Sequence, residues 1–276
     1  MNIAIIGMGI IGGSFAKALK KYTDHHIIGI NRTKSTLYTA LEQGAIDEIG
    51  DEKALEKSDV IILAVYPQAA IDFIEKNGEH IKKGAIVTDS SGIKTEICPQ
   101  MVSLSKKFGF TFVGSHPMAG KEKNGFGVSE ADLYLGASYI IVPCEADENS
   151  VNTIASLALK IGFGGIKITT PEEHDRMIAF TSQLPHVLAC AYVLSPCCPN
   201  HKGFSAGSYR DVSRVANINS ELWSELFLEN KEPLMAELDE LIKNINLIKN
   251  AIGDENREEL KNLLEKGHKV KEALGE

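Results

Sequence analysis

Apolar residues along this chain gather in short unbroken runs rather than alternating with polar ones. Such runs occur at 3–6 (IAII), 27–30 (IIGI), 60–65 (VIILAV), 85–88 (AIVT), 111–114 (TFVG) and 139–142 (YIIV). A β-branched run of this length, with no polar alternation, suits a strand covered on both faces, as in a parallel sheet. Helix-compatible stretches lie between several of the runs, the first at 11–21. Strand–helix alternation from the first residues predicts an α/β fold with a Rossmann-type, doubly wound, mostly parallel sheet.

The pattern changes near residue 170. Thr170-Pro171-Glu172-Glu173 reads as a helix start, with Thr170 as N-cap, Pro171 at the first helical position and Glu173 closing a capping box. No convincing strand follows, so the boundary falls at 168–171, between a first domain over 1–169 and an all-helical domain over 170–276. Leu234, Leu238, Leu241, Ile245, Ile248 and Ile252 then recur at alternating spacings of four and three, a seam for close helix–helix packing. Intramolecular packing would explain it; a homodimer interface is preferred, because the domain is small and all helical. Gly253 stops this helix, Asp254 is placed to cap another, and the charges from Glu255 to Lys271 suit a solvated face.

Composition narrows the class. The 276 residues suffice for two domains, and 43% hydrophobic with 24% charged residues argues against disorder. A net charge of −8 argues against nucleic acid or an anionic membrane as partner, while leaving room for a small anion in a local basic pocket. Five cysteines without a CxxC pattern fit a reducing, cytoplasmic setting, and neither a membrane-length apolar run nor room for a signal peptide before the first strand is evident. No HExxH or paired-cysteine pattern points to a metal.

Gly7-Met8-Gly9-Ile10-Ile11-Gly12 is a GxGxxG between the first strand and first helix. There Gly7 permits the tight turn, Gly9 the approach of a pyrophosphate to the backbone and Gly12 close helix–strand packing, with the helix N-terminus facing the anion. A dinucleotide is expected. The second strand ends at Asn31-Arg32-Thr33, where an NAD-preferring site usually carries an acid. Asn31 does not repel a phosphate and Arg32 is suited to pair with one, so NADP is favoured over NAD, with dual use open.

Further polar segments fall where apolar core would be expected. Asp89-Ser90-Ser91-Gly92-Ile93-Lys94 follows one strand; Gly114-Ser115-His116-Pro117 follows another and places His116 on the ligand-binding edge. A histidine there is suited to take a hydroxyl proton as hydride leaves the same carbon. On the helix from Pro171, Asp175, Ser182 and His186 are spaced by seven and four, which predicts one shared face, and Pro185 predicts a bend. Arg210 and Arg214 offer two guanidiniums for carboxylate recognition; an Arg210–Asp211 pair holding loop to helix is the plainer alternative for the first.

The glycine loop, GSHPMAG at 114–120, TSQLPH at 181–186, YRDVSR at 209–214 and LWSELFLENKE at 222–232 together resemble the prephenate/arogenate dehydrogenases of tyrosine biosynthesis. The resemblance spans nearly the whole chain. It implies oxidative decarboxylation of prephenate to 4-hydroxyphenylpyruvate with hydride transfer to NAD(P), or the analogous reaction of arogenate. His116 matches the catalytic histidine, Arg214 the carboxylate-binding arginine, Ser182 and His186 polar residues lining the substrate pocket, and Glu122 an acid at its entrance. Asp211 is expected behind these residues and Trp223 beneath the site. Many members carry a serine where this chain has Gly92; Ser91 is the adjacent candidate for that role. After the helical pair no length is expected for a fused regulatory domain. Two rival readings are another two-domain oxidoreductase, of the β-hydroxyacid or imine-reductase kind, and a non-catalytic dinucleotide sensor.

Overall fold

The unbroken apolar runs become the centre of a twisted sheet. The computed structural model describes residues 1–121 and 123–275. Among these residues eight strands form one sheet: β1 (Asn2–Ile6), β2 (His26–Ile30), β3 (Glu48–Ile49), β4 (Val60–Leu63), β5 (Ile86–Asp89), β6 (Thr111–Pro117), β7 (Ser138–Val142) and β8 (Gly165–Ile168). Their order is β3-β2-β1-β4-β5-β6-β7-β8, parallel throughout except between β6 and β7. Ile3, Ile5, Ile27, Ile28 and Ile61 are fully buried. Each such side chain contributes about 1.5–3 kcal/mol relative to exposure, which explains why the runs form the sheet interior.

The helices packed around the sheet are α1 (Ile10–Tyr22), α2 (Lys34–Glu42), α3 (Pro67–Asn77), α4 (Ile97–Phe108) and α5 (Glu148–Lys160). Two separate apolar clusters form, one with Phe15, Leu19 and Ile154, the other with Ile71, Ile97 and Met101, so both faces are covered. Gly109 ends α4 at φ 79°, a conformation that favours glycine, with its N–H bonded to the Ser105 carbonyl.

The helical part comprises α6 (Pro171–Ile178), α7 (Leu184–Val193), α8 (Gly207–Ser213), α9 (Ser220–Glu229), α10 (Lys231–Gly253) and α11 (Arg257–Ala273). Thr170 caps α6 by accepting from the Glu173 N–H, but the Glu173 carboxylate takes the Thr169 hydroxyl instead of completing the box. Asn256, not Asp254, caps α11: the chain turns at Glu255 with φ 52°, so the side chain positioned to accept the Glu259 N–H comes two residues later. Along α10, Leu234 is buried, whereas Ile245 and Ile252 remain 47% and 60% exposed in the single chain. No helix among the described residues is long and apolar enough to cross a membrane.

One departure reshapes the site. Residues Ala179–Gln183, between α6 and α7, form a π-helical turn. A π turn accommodates one extra residue and rotates the succeeding helix by about 100°. Asp175, Ser182 and His186 therefore do not share one face. Asp175 is buried, and Gln183, rather than Ser182, is buried with it. The bend expected at Pro185 takes the form of this turn, immediately before the proline enters α7.

Candidate active site

The strand order reverses between β1 and β4, where open α/β sheets bind ligands. Gly7 leaves β1 at φ 93°, and a Cβ there would collide with the Ala64 carbonyl just past β4. A Cβ on Gly12 would collide with the Gly7 carbonyl, whereas one on Gly9 would meet no atom within 4 Å. Gly9 is also the N-cap of α1, and no side chain closes that helix end. Open space over unsatisfied helix N–H groups fits a pyrophosphate. The adjoining cavity of ≈ 1300 Å³ is lined by Gly7, Met8, Gly9, Asn31, Arg32 and Tyr38, among others.

Ile10, Ile11, Gly12 and Thr33 do not line that cavity. Met8 and Ile11 turn their side chains into the core, so their contribution to a cofactor is through the backbone. Asn31 joins β2 to the glycine loop: its Oδ1 accepts from the Met8 N–H at 3.1 Å and its Nδ2 donates to the Thr33 carbonyl at 3.1 Å. The strand end thus carries a neutral amide where a carboxylate would otherwise stand.

On the same carboxyl edge, β6 runs beyond β5. Its pairing with β5 stops at Val113, while its last residues, including His116, pair with β7. His116 thus belongs to the end of the strand rather than the loop after it. Beside it, Asp89 and Lys94 form a fully buried ion pair of 2.5 Å. Asp89 also accepts the N–H groups of Ser91 and Ser115, both at 2.9 Å, which ties the 90–94 loop to β6. A Cβ built on Gly92 would lie 3.9 Å from His116 Cε1 and 3.6 Å from Leu226, so a side chain at 92 would point at the histidine. The Ser91 hydroxyl is buried with no hydrogen-bond partner among the described residues. It does not bond His116.

His116 instead meets a residue that the sequence pattern did not single out. Its Nδ1 lies 3.0 Å from His174 Nε2, and His174 Nδ1 lies 2.6 Å from Asp175 Oδ1. Asp175 also accepts the Lys94 and Thr95 N–H groups at 2.8 Å each, and the Thr95 hydroxyl at 2.5 Å. Burial acts to raise the Asp175 carboxyl, but hydrogen bonds from His174 and Thr95 outweigh it and hold the group below its usual range. Burial pushes His116 well below the ordinary histidine value, helped by His174 and Lys94. Burial also lowers His174, against the pull of Asp175.

The helix pair completes the wall. Gln183 donates to the Leu226 carbonyl at 2.9 Å, and Asn230 bridges Gln183 and the Asp175 carbonyl. On α9, Trp223 stacks on His186 with ring centroids 3.7 Å apart, and Leu226 lies one turn farther along, against Gly92. One helical turn, about 5.4 Å, therefore joins the His186 side to the His116 side. His186 Nδ1 donates to the Ser182 carbonyl at 2.7 Å, so Ser182 and His186 remain together through the π turn. Arg214 opens a short 3-10 turn packed on α7 and is exposed. Glu122 lies outside the described residues.

Comparison with known proteins gives the arrangement its context. The family model for the prephenate dehydrogenase nucleotide-binding domain matches residues 15–165, and the model for the dimerization domain of the same enzymes matches residues 170–266. The prephenate dehydrogenase of Bacillus subtilis (strain 168) is 30% identical over 269 residues, covering 94% of this chain and 72% of its own. A crystal structure of prephenate dehydrogenase from A. aeolicus, in complex with hydroxyphenyl propionate and NAD+, superposes with a TM-score of 0.86 at 29% identity, covering 100% of this chain and 98% of the other. Synechocystis arogenate dehydrogenase gives a TM-score of 0.85 at 28% identity, covering 99% and 100%. The chain belongs to the prephenate dehydrogenase family of nicotinamide-dependent oxidoreductases.

Proposed function

We propose that the protein oxidatively decarboxylates prephenate to 4-hydroxyphenylpyruvate, using NADP in preference to NAD. The observation that carries this reading is the placement of His116 on the same carboxyl edge as the open glycine loop. Base and cofactor site thus share one edge of the sheet. The nicotinamide ring, when bound, accepts the hydride from ring C4 of the substrate.

The remaining steps belong to this chain's residues. His116, neutral at physiological pH, takes the C4 hydroxyl proton as the C4–H bond breaks. The oxygen becomes a carbonyl, and the ring carboxylate then leaves as CO2, its bonding pair restoring aromaticity and leaving a phenolate that takes the proton back from the His116 imidazolium. Arg214 binds a substrate carboxylate, and Ser182 and His186, the latter held flat by Trp223, line the pocket. Ser91 supplies a hydroxyl beside Gly92. Gly7, Met8 and Gly9 line the pyrophosphate site, Ile10 and Ile11 offer backbone N–H groups at the start of α1, and Gly12 lets that helix pack closely on the Gly7 carbonyl. Asn31 and Arg32 frame the adenosine ribose, with the Thr33 carbonyl holding the Asn31 amide, and the neutral Asn31 beside Arg32 supports the preference for a 2′-phosphate.

The sheet part, 1–169, serves as the cofactor domain and the helical part, 170–276, as substrate and dimerisation domain. The apolar residues exposed along α10 support a homodimer, and the five cysteines without a CxxC pattern fit the cytoplasm. Arogenate remains the second reading, because its side chain differs from that of prephenate only far from C4 and an arogenate dehydrogenase is among the similar structures. An assay of both substrates against both cofactors, following reduced-cofactor absorbance and CO2, tests the proposal. Fastest turnover of prephenate with NADP is expected; no turnover of either substrate overturns it.

A further inference from the structure

The Asp175 carboxylate sits at one end of a chain of rings whose other end is the proposed base. Its two oxygens receive only donors: His174, the Lys94 N–H, the Thr95 N–H and the Thr95 hydroxyl. An ionised carboxylate has no proton to give, so His174 must carry its proton on Nδ1. In neutral His174 the opposite nitrogen, Nε2, is then a bare acceptor. The donor facing it at 3.0 Å is His116 Nδ1–H. That leaves Nε2 of His116 with the lone pair.

We propose that His174 and Asp175 are positioning residues that lock His116 in the Nδ1–H tautomer and so leave its Nε2 as the proton acceptor of the reaction. This rests on the reading of His116 as the base. A carboxylate directly against His116 would also fix the tautomer, but would raise the proton affinity of the ring more and so hold a larger share of it as imidazolium. Interposing a neutral ring transmits the orientation of Asp175 while keeping most of its charge away. When the substrate hydroxyl proton moves to Nε2, its O–H pair becomes part of the new carbonyl as the C4–H pair departs. The imidazolium that forms is stabilised by its bond to His174, and it returns the proton to the phenolate oxygen once CO2 has left.

The supports around the chain are consistent with holding two rings still. Asp175 is clamped by backbone N–H groups of the 90–94 loop and its successor, Thr95, and its own carbonyl is held by Asn230 at 2.9 Å. The rings of His116 and His174 lie with centroids 5.2 Å apart and planes tilted by 57°, so the contact is edge-to-edge hydrogen bonding rather than stacking.

The test uses the full-length enzyme labelled with 15N-histidine. Two-bond 1H–15N spectra, with His116→Asn assigning the His116 signals, should show a protonated Nδ1 and an unprotonated Nε2 in the wild type. His174→Phe, which keeps a ring but no acceptor, should abolish that pattern and lower kcat by about 10²-fold with cofactor affinity unchanged. His174→Gln, whose side-chain oxygen accepts from Nδ1–H, should restore the tautomer and bring kcat back to within several-fold of wild type. A wild-type His116 protonated on Nε2 overturns the proposal, even if His174→Phe fails to fold. So does a His174→Phe enzyme with unchanged tautomer and rate, or a His174→Gln enzyme as impaired as the phenylalanine variant. Failure of the wild type to turn over either substrate would instead sink the assignment of His116 as base, and leave the tautomer measurement standing.

Discussion

Asp89 and Lys94 lie five positions apart in sequence and form an ion pair with no exposure of either side chain. The carboxylate also gathers two backbone N–H groups, so it ties the 90–94 loop to β6 beside His116. Removing one partner strands the other charge in the interior, which costs about 3–5 kcal/mol. Lys94→Met should lose roughly that much stability in urea unfolding, and Asp89→Asn a similar amount. A loss below about 1 kcal/mol in both would mean that the pair does not organise this edge.

The glycine loop separates two roles that resemble each other in sequence. Gly9→Ala has room within the protein, so its melting temperature should match wild type while its cofactor Kd rises at least about tenfold, because the methyl would occupy the ligand's space. Gly12→Ala should lower the melting temperature itself, since its methyl collides with backbone. Thermal unfolding without cofactor, followed by cofactor titration, distinguishes the two.

His116→Asn should lower kcat by about 10²–10⁴-fold and leave cofactor binding intact. Arg214→Ala should act mainly on the KM for substrate. Full turnover in the first variant, or an unchanged KM in the second, would remove that residue from its assigned role.

Acid should weaken both catalysis and fold. His116 and His174 are held below the ordinary histidine value, chiefly by burial, so the unfolded chain binds their protons more readily than the native one. Their contribution to stability is complete above about pH 6.5, the unfolded value, and is lost as pH falls toward and through their folded values. Urea unfolding at pH 7.5 and at 5.5 should show the loss, with His174→Gln less sensitive than wild type. The acid limb of kcat/KM should fall below pH 6.5; a limb above that value would contradict a neutral, buried base.

Gly92→Ser should fold normally, because the new Cβ sits at ordinary contact distance from Leu226 and His116. Its hydroxyl would project toward the reacting edge and should raise kcat severalfold if Ser91 fills this place incompletely. Equal rates in the two proteins would mean that the hydroxyl is dispensable.

The sheet was legible because Ile3–Ile6 and Val60–Leu63 are short, uninterrupted and rich in β-branched residues, a combination that favours a strand covered on both faces over a buried helix segment. The glycine loop was legible because each of its glycines answers a separate steric demand. The strand Gly165–Ile168 went unnoticed, being short, glycine-led and half exposed at the sheet edge. His174 was missed for a different reason: helical counting drew attention to Asp175, Ser182 and His186, and counting has no means of registering a π turn. The adjacent His174-Asp175 pair in the first turns of a proline-started helix was the available signal.

The support of the proposed base comes from both parts of the molecule. His116 stands on the sheet, while His174 and Asp175 stand on the first helix beyond it, and their bonds cross the gap between the two parts. A clamshell motion about residues 169–170 would wrench the base from its brace in every catalytic cycle. These bonds therefore oppose a hinged opening between the two parts. Severed into its two halves, it would leave one with an unoriented base and the other with an orienting group that has nothing to orient.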